Sequence, residues 1–198
     1  MPDIIKTDRT FIALACIDSK IRQVKHDLCD ILKDWKDEKI YEYDPNEVPF
    51  ELPVQSINPT IIGFTLWVPK VKQSGCVFMP NHMAGWSSIT HILATKYSHQ
   101  CEKIRVSTQN GEYPICEFIH VKCATERIVR SMKDDPRWEF LDRGPALEFE
   151  ELENYERRYV KHRFHESLLV KYLYKLGWDL KSDSFWKTTE PYYILTKK

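Results

Sequence analysis

Residues 10–35 read TFIALACIDSKIRQVKHDLCDILKDW, and this stretch decides the fold class. Thr10 to Ile17 is apolar at nearly every position, so a strand here buries both faces and belongs inside a sheet. Asp18 or Ser19 then offers a helix N-cap. Ile21, Val24, Leu28, Ile31, Leu32 and Trp35 recur at three- and four-residue steps, while Arg22, Lys25, Asp27, Asp30, Lys33 and Asp34 fill the gaps. That period predicts an amphipathic helix over about 19–37, with Leu28 at the centre of its buried stripe.

Downstream, Pro45, Pro49, Pro53 and Pro59 forbid a helix over 44–59 and predict a long irregular connection, a length that often carries function. Thr60 to Val71 reads as a strand, with Gly63 and Pro69 suggesting a bulge or an edge. Cys76 to Met79 returns as a short strand. Ser87 or Ser88 caps a helix whose apolar face carries Ile89, Ile92, Leu93 and Tyr97. Lys103–Thr108 and Tyr113–Lys122 read as a strand pair about Asn110-Gly111. A two-residue turn would set Pro114, which has no N–H, in a hydrogen-bonded position opposite Ser107, so the turn must be longer or the strand an edge.

In the last third, Thr125 is expected to cap a short helix bearing Ile128, Val129 and Met132. Arg137–Leu141 and Ala146–Phe149 are expected to form a hairpin about 142–145. A helical region spans about 150–176, broken near 161–167 because its apolar stripe moves around the helix; Ser167 would cap the second part and Gly177 would end it. Tyr192–Thr196 closes the chain as a strand. The predicted fold class is therefore α+β, a mixed, largely antiparallel sheet with helices packed on it, in one globular domain over 1–198. The order βαββαβ occurs twice, over 1–109 and 110–198, which makes two ferredoxin-like halves the finer version of this prediction.

Lysine plus arginine and aspartate plus glutamate both number 29, so no global field favours nucleic acid. Six cysteines lack C-x-x-C spacing and read as free thiols of a reducing compartment rather than a disulfide framework. The apolar run Phe11–Ile17 is too short for a secretory core, and no segment approaches the roughly 20 apolar residues of a membrane span. The expected location is cytoplasmic. No cofactor and no metal are expected: His162/His165 and His120/Cys123 are pairs, short of a ligand set.

Two segments carry candidate sites. In Asn81-His-Met-Ala-Gly-Trp-Ser-Ser-Ile-Thr-His91, a Gly/Ser turn feeding a helix presents free N–H groups and a positive dipole end to a small anion. His82 and His91 would add protonatable contacts, Trp86 a stacking face, and Gly85, Ser87 and Ser88 the cradle; a plain capped helix explains the same residues. In Glu148 to Arg163, acids precede bases. Arg157, Arg158, Lys161 and His162 form a basic patch for an acidic partner, or simply complement a helix dipole. With no nucleophile signature and no phosphate loop, no catalytic residue is assigned. The first functional expectation is a non-catalytic protein that binds and neutralises another protein, of the inhibitor or immunity type, resting on its 13% aromatic content. The alternative is an enzyme or small anionic-ligand-binding protein with its site at 81–91. Single-stranded RNA binding through Phe118, Tyr113, Arg105 and Lys122 comes last.

Overall fold

A computed structural model of the chain describes residues 11–34, 38–48, 50–56, 59–60, 62–108, 114–123 and 125–197. Trp35, the Asn110-Gly111 turn and Tyr113 lie outside the described residues.

The apolar run becomes β1 (Phe11–Ile17), buried at all seven positions. Alternation sends Ile12, Leu14 and Cys16 to one face of the sheet and Ala13, Ala15 and Ile17 to the other. α1 (Ile21–Leu32) follows, and Val24, Leu28 and Leu32 are its buried stripe. Its N-cap is Lys20 in extended backbone, with no side-chain cap. The expected caps are engaged elsewhere: Ser19 Oγ lies 2.7 Å from His99 Nδ1, and Asp18 Oδ1 lies 3.3 Å from Lys72 Nζ.

The remaining elements are β2 (Glu38–Tyr43), β3 (Gly63–Trp67), β4 (Cys76–Pro80), α2 (Ser87–Thr95), β5 (Cys101–Ser107), β6 (Ile115–Lys122), β7 (Thr125–Asp134), β8 (Arg137–Arg143), α3 (Glu166–Lys175) and β9 (Tyr192–Lys197). They form one nine-stranded sheet in the order β2-β9-β3-β4-β1-β5-β6-β7-β8, antiparallel at every pairing. β1 is the middle strand, as its two apolar faces require. α1 and α2 cover one face over β9, β3, β4 and β1, and α2 reaches on to the near ends of β5 and β6. The other face packs against α3 and the irregular segment around it, through Tyr155, Phe164, Leu169, Tyr172, Trp178 and Phe185.

The α+β class and antiparallel sheet follow the sequence reading, but several elements do not. β3 is an interior strand between β9 and β4, not an edge, and Pro69 lies beyond its end. The expected helix at Thr125 is the ten-residue strand β7. Ile128, Val129 and Met132 fit a helical stripe by spacing, yet Val129 packs beneath α3 while Met132 packs on the opposite face. A strand half-buried on both faces shows no clean alternation, and its β-branched residues suit a sheet. β8 runs through to Arg143 and pairs with β7 across the turn at 134–137, which holds a cis Asp135–Pro136 bond. Residues 146–149 are therefore not a strand. Two ferredoxin-like halves are not confirmed: the second segment lacks its first helix, and β9 is inserted between β2 and β3 of the first.

The first part of the helical region expected over about 150–176, ahead of its break near 161–167, is replaced by two 3₁₀ turns, Leu152–Asn154 and Val160–His162. α3 starts at Glu166 with His165 at the N-cap, not Ser167, and Gly177 ends it at φ +85°. Tertiary pairing overrides the local charge pattern. Arg127 of β7 is 2% exposed and clamps Glu150 through Nε at 2.8 Å and Nη2 at 2.6 Å, with Asp142 in contact on the other side. Gly144 makes the clamp possible. At φ +87°, its carbonyl accepts from Arg127 Nη1 at 3.0 Å, and a Cβ there would sit 2.0 Å from the Glu126 carbonyl oxygen. Gly144→Ala is expected to cost at least about 1–3 kcal/mol from the left-handed backbone alone, with the clash adding to it. A urea melt checks this; a loss below about 0.5 kcal/mol would show that the turn relaxes freely.

Candidate functional site

α2 packs on the Cys101 end of β5 and the Val121 end of β6, and beyond it the same face opens along the rest of β5, β6 and β7. Register sets the side chains in rows. Arg105, Glu117 and Arg130 stand opposite one another across β5, β6 and β7, and the same row begins at Ala13 of β1. Lys103, Ile119 and Ile128 form the next row, and Ile115 and Met132 share the row on the other side.

The middle of this face is a buried charge cluster. Glu117 is 1% exposed and accepts two hydrogen bonds from Arg105, from Nε and Nη2, each at 2.6 Å. Arg130 Nη1 lies 3.5 Å from Glu117 Oε2, and Lys103 Nζ lies 3.8 Å from Oε1. Burial pushes the Glu117 carboxyl up, but the hydrogen bonds and charge of Arg105, joined by Lys103 and Arg130, outweigh it and hold the group below the usual carboxylate range. For Lys103 burial dominates. Glu117 opposes it, the neighbouring Arg105 and Arg130 add to it, and the ammonium is brought down to about 8. Three cationic side chains thus converge on one carboxylate.

The loop ahead of α2 is drawn onto this cluster. Gly85 at φ +70° packs so closely that a Cβ would sit 3.2 Å from Lys103 Cε and 3.4 Å from Ala13 Cβ. A small residue on β1 and a glycine in the loop are both needed for that approach. Trp86, at φ 45°, sends its ring into the core against Phe64 and Phe78 at centroid distances of 6.0 and 6.1 Å. Ser87 then opens α2 with its Oγ in contact with Lys103 Nζ. The first helical bonds run from Ile89 and Thr90 N–H to the Trp86 carbonyl, which leaves the N–H groups of Ser87 and Ser88 outside the ladder.

Two hollows open here. The smaller, about 290 Å³, lies between α2 and the sheet and is lined by Ser87, Ser88, His91, Lys103, Ile119 and Glu126, among others. The larger, about 890 Å³, is lined by His82, Met83, Arg105, Ile115, Arg130 and Met132, with Asp134 and Asp135 at its far end. Asp134 stands four residues along β7 from Arg130, roughly 13 Å by strand rise. Lys103 and Arg105 lie two apart on one strand, Lys103 lining the smaller hollow and Arg105 the larger. The 44–59 connection braces the rim. Gln55 Nε2 donates to the carbonyls of Ala13 (2.6 Å) and Pro80 (2.7 Å), and its Oε1 accepts from Ala13 N–H at 2.8 Å. Ser56 exchanges backbone bonds with Asn81 and Met83.

No family model, curated protein or solved structure matches this chain. The chemistry must therefore be read from the residues themselves. Among those singled out in sequence, Ser87, Ser88 and His91 line the smaller hollow and His82 the larger, while Gly85 is buried beneath the loop. Trp86 packs inward, so its ring serves as the loop's anchor. His91 Nδ1 faces Glu126 at 4.0 Å, and His82 Nδ1 accepts from Ala84 N–H at 3.0 Å. Arg157, Arg158, Lys161 and His162 are all exposed around the second 3₁₀ turn, with Arg158 5.8 Å from the ring of Tyr159. Phe118 is fully buried beneath α3 and Arg105 points to the opposite face, so these two do not form a base-stacking platform.

Lys103, Glu117 and Arg130 were missed. Their only signal is a few charged residues scattered within otherwise apolar strands, Lys103 in β5, Glu117 in β6 and Arg130 in β7, which also describes an ordinary solvated face. A second serine contact exists at Ser19, whose Oγ meets His99 Nδ1 while His99 Nε2 lies 2.7 Å from Asp27 Oδ2. Asp27, expected on the solvent side of α1, is 2% exposed instead. None of these three residues lines either hollow, and the trio ties α1 to the loop before β5. All six cysteines are free; Cys16, Cys76, Cys101 and Cys116 are buried, whereas Cys29 and Cys123 are exposed. No helix among the described residues is long and apolar enough to cross a membrane, and no cluster of three metal-ligating side chains occurs among them.

Proposed function

We propose that the chain binds a small anionic ligand in the groove between the start of α2 and strands β5–β7. The observation that carries this reading is the convergence of Lys103, Arg105 and Arg130 on the buried Glu117 at the edge of two hollows, with Glu126 on the wall of the smaller and Asp134 and Asp135 at the far end of the larger. Arg105 commits two of its five N–H donors to Glu117. The remaining donors, with Arg130, suit a carboxylate or phosphate. The Ser87 and Ser88 N–H groups add the positive end of the α2 dipole. Apolar Ile119 and Val121 line the smaller hollow and suit a ligand with a short apolar body. The expectation of a neutralising protein partner rests on aromatic content, with exposed Arg157, Arg158, Lys161 and His162 as its candidate patch; these four do not converge on a buried carboxylate as Lys103, Arg105 and Arg130 do.

Inorganic phosphate should raise the melting temperature of the native chain more than it raises that of Arg130→Gln, when each is compared with sodium chloride at equal ionic strength. General salt stabilisation is common to both chains, so the difference between them reports the site. Equal increments in the two chains would sink the reading.

A further inference from the structure

We infer that Ser87 is an acylatable nucleophile and Lys103 its general base, so that the groove hydrolyses small esters whose acyl part carries a negative charge. The choice of an anionic substrate rests on the anion-binding reading above, while the nucleophile–base pair stands on its own geometry.

Three observations carry it. First, the two groups are in contact: Lys103 Nζ donates to Ser87 Oγ, and the Ser87 hydroxyl donates to the Ala84 carbonyl at 3.3 Å, so once Lys103 is neutral a rotation of the hydroxyl turns its proton to the amine. Secondly, the two differ in access as the chemistry requires. Ser87 is exposed and lines the smaller hollow, whereas the Lys103 side chain is 5% exposed. Buried there, its amine is down to about 8, so a useful fraction is neutral and able to take a proton under mildly alkaline conditions. Thirdly, the turn that delivers Ser87 is strained. Gly85 (φ +70°) and Trp86 (φ 45°) are both left-handed, a conformation that a bulky residue holds only when its surroundings impose it. The Trp86 ring, wedged against Phe64 and Phe78, supplies the packing that imposes it.

The steps balance as follows. Neutral Lys103 accepts the Ser87 hydroxyl proton as Oγ bonds to the ester carbonyl carbon, and the carbonyl electrons move onto oxygen. The N–H groups of Ser87 and Ser88, at the positive end of α2, stabilise that oxyanion. Collapse expels the alcohol oxygen, which takes the proton from the Lys103 ammonium. Water then attacks the acyl-serine with Lys103 again as base, releasing the acid and restoring the Ser87 hydroxyl. Arg105 and Arg130 hold the negative charge of the acyl part.

The test uses the full chain with 4-nitrophenyl acetate and with the 4-nitrophenyl monoester of succinic acid. Expected are acylation of Ser87, seen by peptide mass spectrometry, and a preference for the succinyl ester. The acylation rate should rise with pH about a midpoint near 8. Lys103→Met should slow acylation by about 100-fold or more, and Ser87→Ala should remove the adduct with an unchanged melting temperature. An unmodified Ser87, or equal acylation in Lys103→Met, overturns the inference. Because the pH profile is read on the native chain, the result does not depend on the variants folding. If Ser87 is unmodified while the Arg130-dependent response to phosphate persists, the nucleophile fails and the binding site stands. If acylation occurs without preference for the succinyl ester and without that response, the anionic substrate class fails.

Discussion

Arg127→Met is expected to destabilise the fold by about 3–5 kcal/mol, because it strands a buried carboxylate. Glu150 has no exposed side-chain surface, and Arg127 is its cationic partner at 2.6 Å. The Tyr155 hydroxyl (2.8 Å) and Leu147 N–H (3.0 Å) complete its hydrogen bonds. Burial pushes the Glu150 carboxyl up, but Arg127, Leu147 and Tyr155 together outweigh it and hold the group below its usual range. A depressed carboxyl contributes stability that is present above its unfolded pKa, roughly 4.3, and is lost as pH falls through the lower folded value. Without Arg127 the sign reverses, since burial then raises the folded value above the unfolded one. The native chain therefore loses this contribution on acidification while the variant sheds its penalty, and the gap between them narrows. Urea melts at neutral and acidic pH measure both effects. A loss under about 1 kcal/mol, or a gap that does not change with pH, would mean that Arg127 is merely packed rather than paired.

Leu28→Ala is the second large effect, about 2–5 kcal/mol. Leu28 is fully buried, and it packs in the cluster formed by Val24 and Leu32 of α1 with Phe64, Leu66 and Phe78 of the sheet. Truncation removes burial and leaves a cavity that a rigid sheet cannot close. Lys33, exposed beside Asp30, should cost within roughly 0.5 kcal/mol when replaced by alanine. Lys25 is less neutral than its period suggests, since Nζ lies 3.7 Å from Glu42 and 4.5 Å from the Tyr193 ring; about 1 kcal/mol is the ceiling there. Denaturant melts of the three variants decide the matter, and comparable losses at Leu28 and Lys33 would mean that α1 packs by another face.

The two strongest periodic signals, the doubly apolar Phe11–Ile17 and the α1 stripe, placed the middle strand and its first covering helix because burial is encoded locally in both. The missing N–H of Pro114 likewise rules out a two-residue turn opposite Ser107. β5 and β6 pair Val106 with Cys116, so the connection is longer than two residues, and Ser107 Oγ accepts from Ile115 N–H at 2.9 Å. The candidate site was half legible. A Gly-Trp-Ser-Ser turn announces a helix start, but its partners Lys103 and Arg130 come from strands 16 and 43 residues further along.

Local pattern therefore suffices for the α+β class, the central strand, and the positions of α1, α2 and the end of α3 at Gly177. Periodicity and backbone stereochemistry act over a few residues and need no distant partner. Long-range pairing decides that Thr125–Asp134 is a strand, that the segment from 150 to the start of α3 is drawn out of helix, and that Asp27, Glu117 and the side chain of Glu150 are buried. Each of those outcomes depends on a partner far along the chain: β6 and β8 for β7, Arg127 for Glu150, His99 for Asp27, and Arg105 with Arg130 for Glu117. A charge that finds such a partner can be buried, and one without it must face water. No local pattern distinguishes the two before the sheet has assembled.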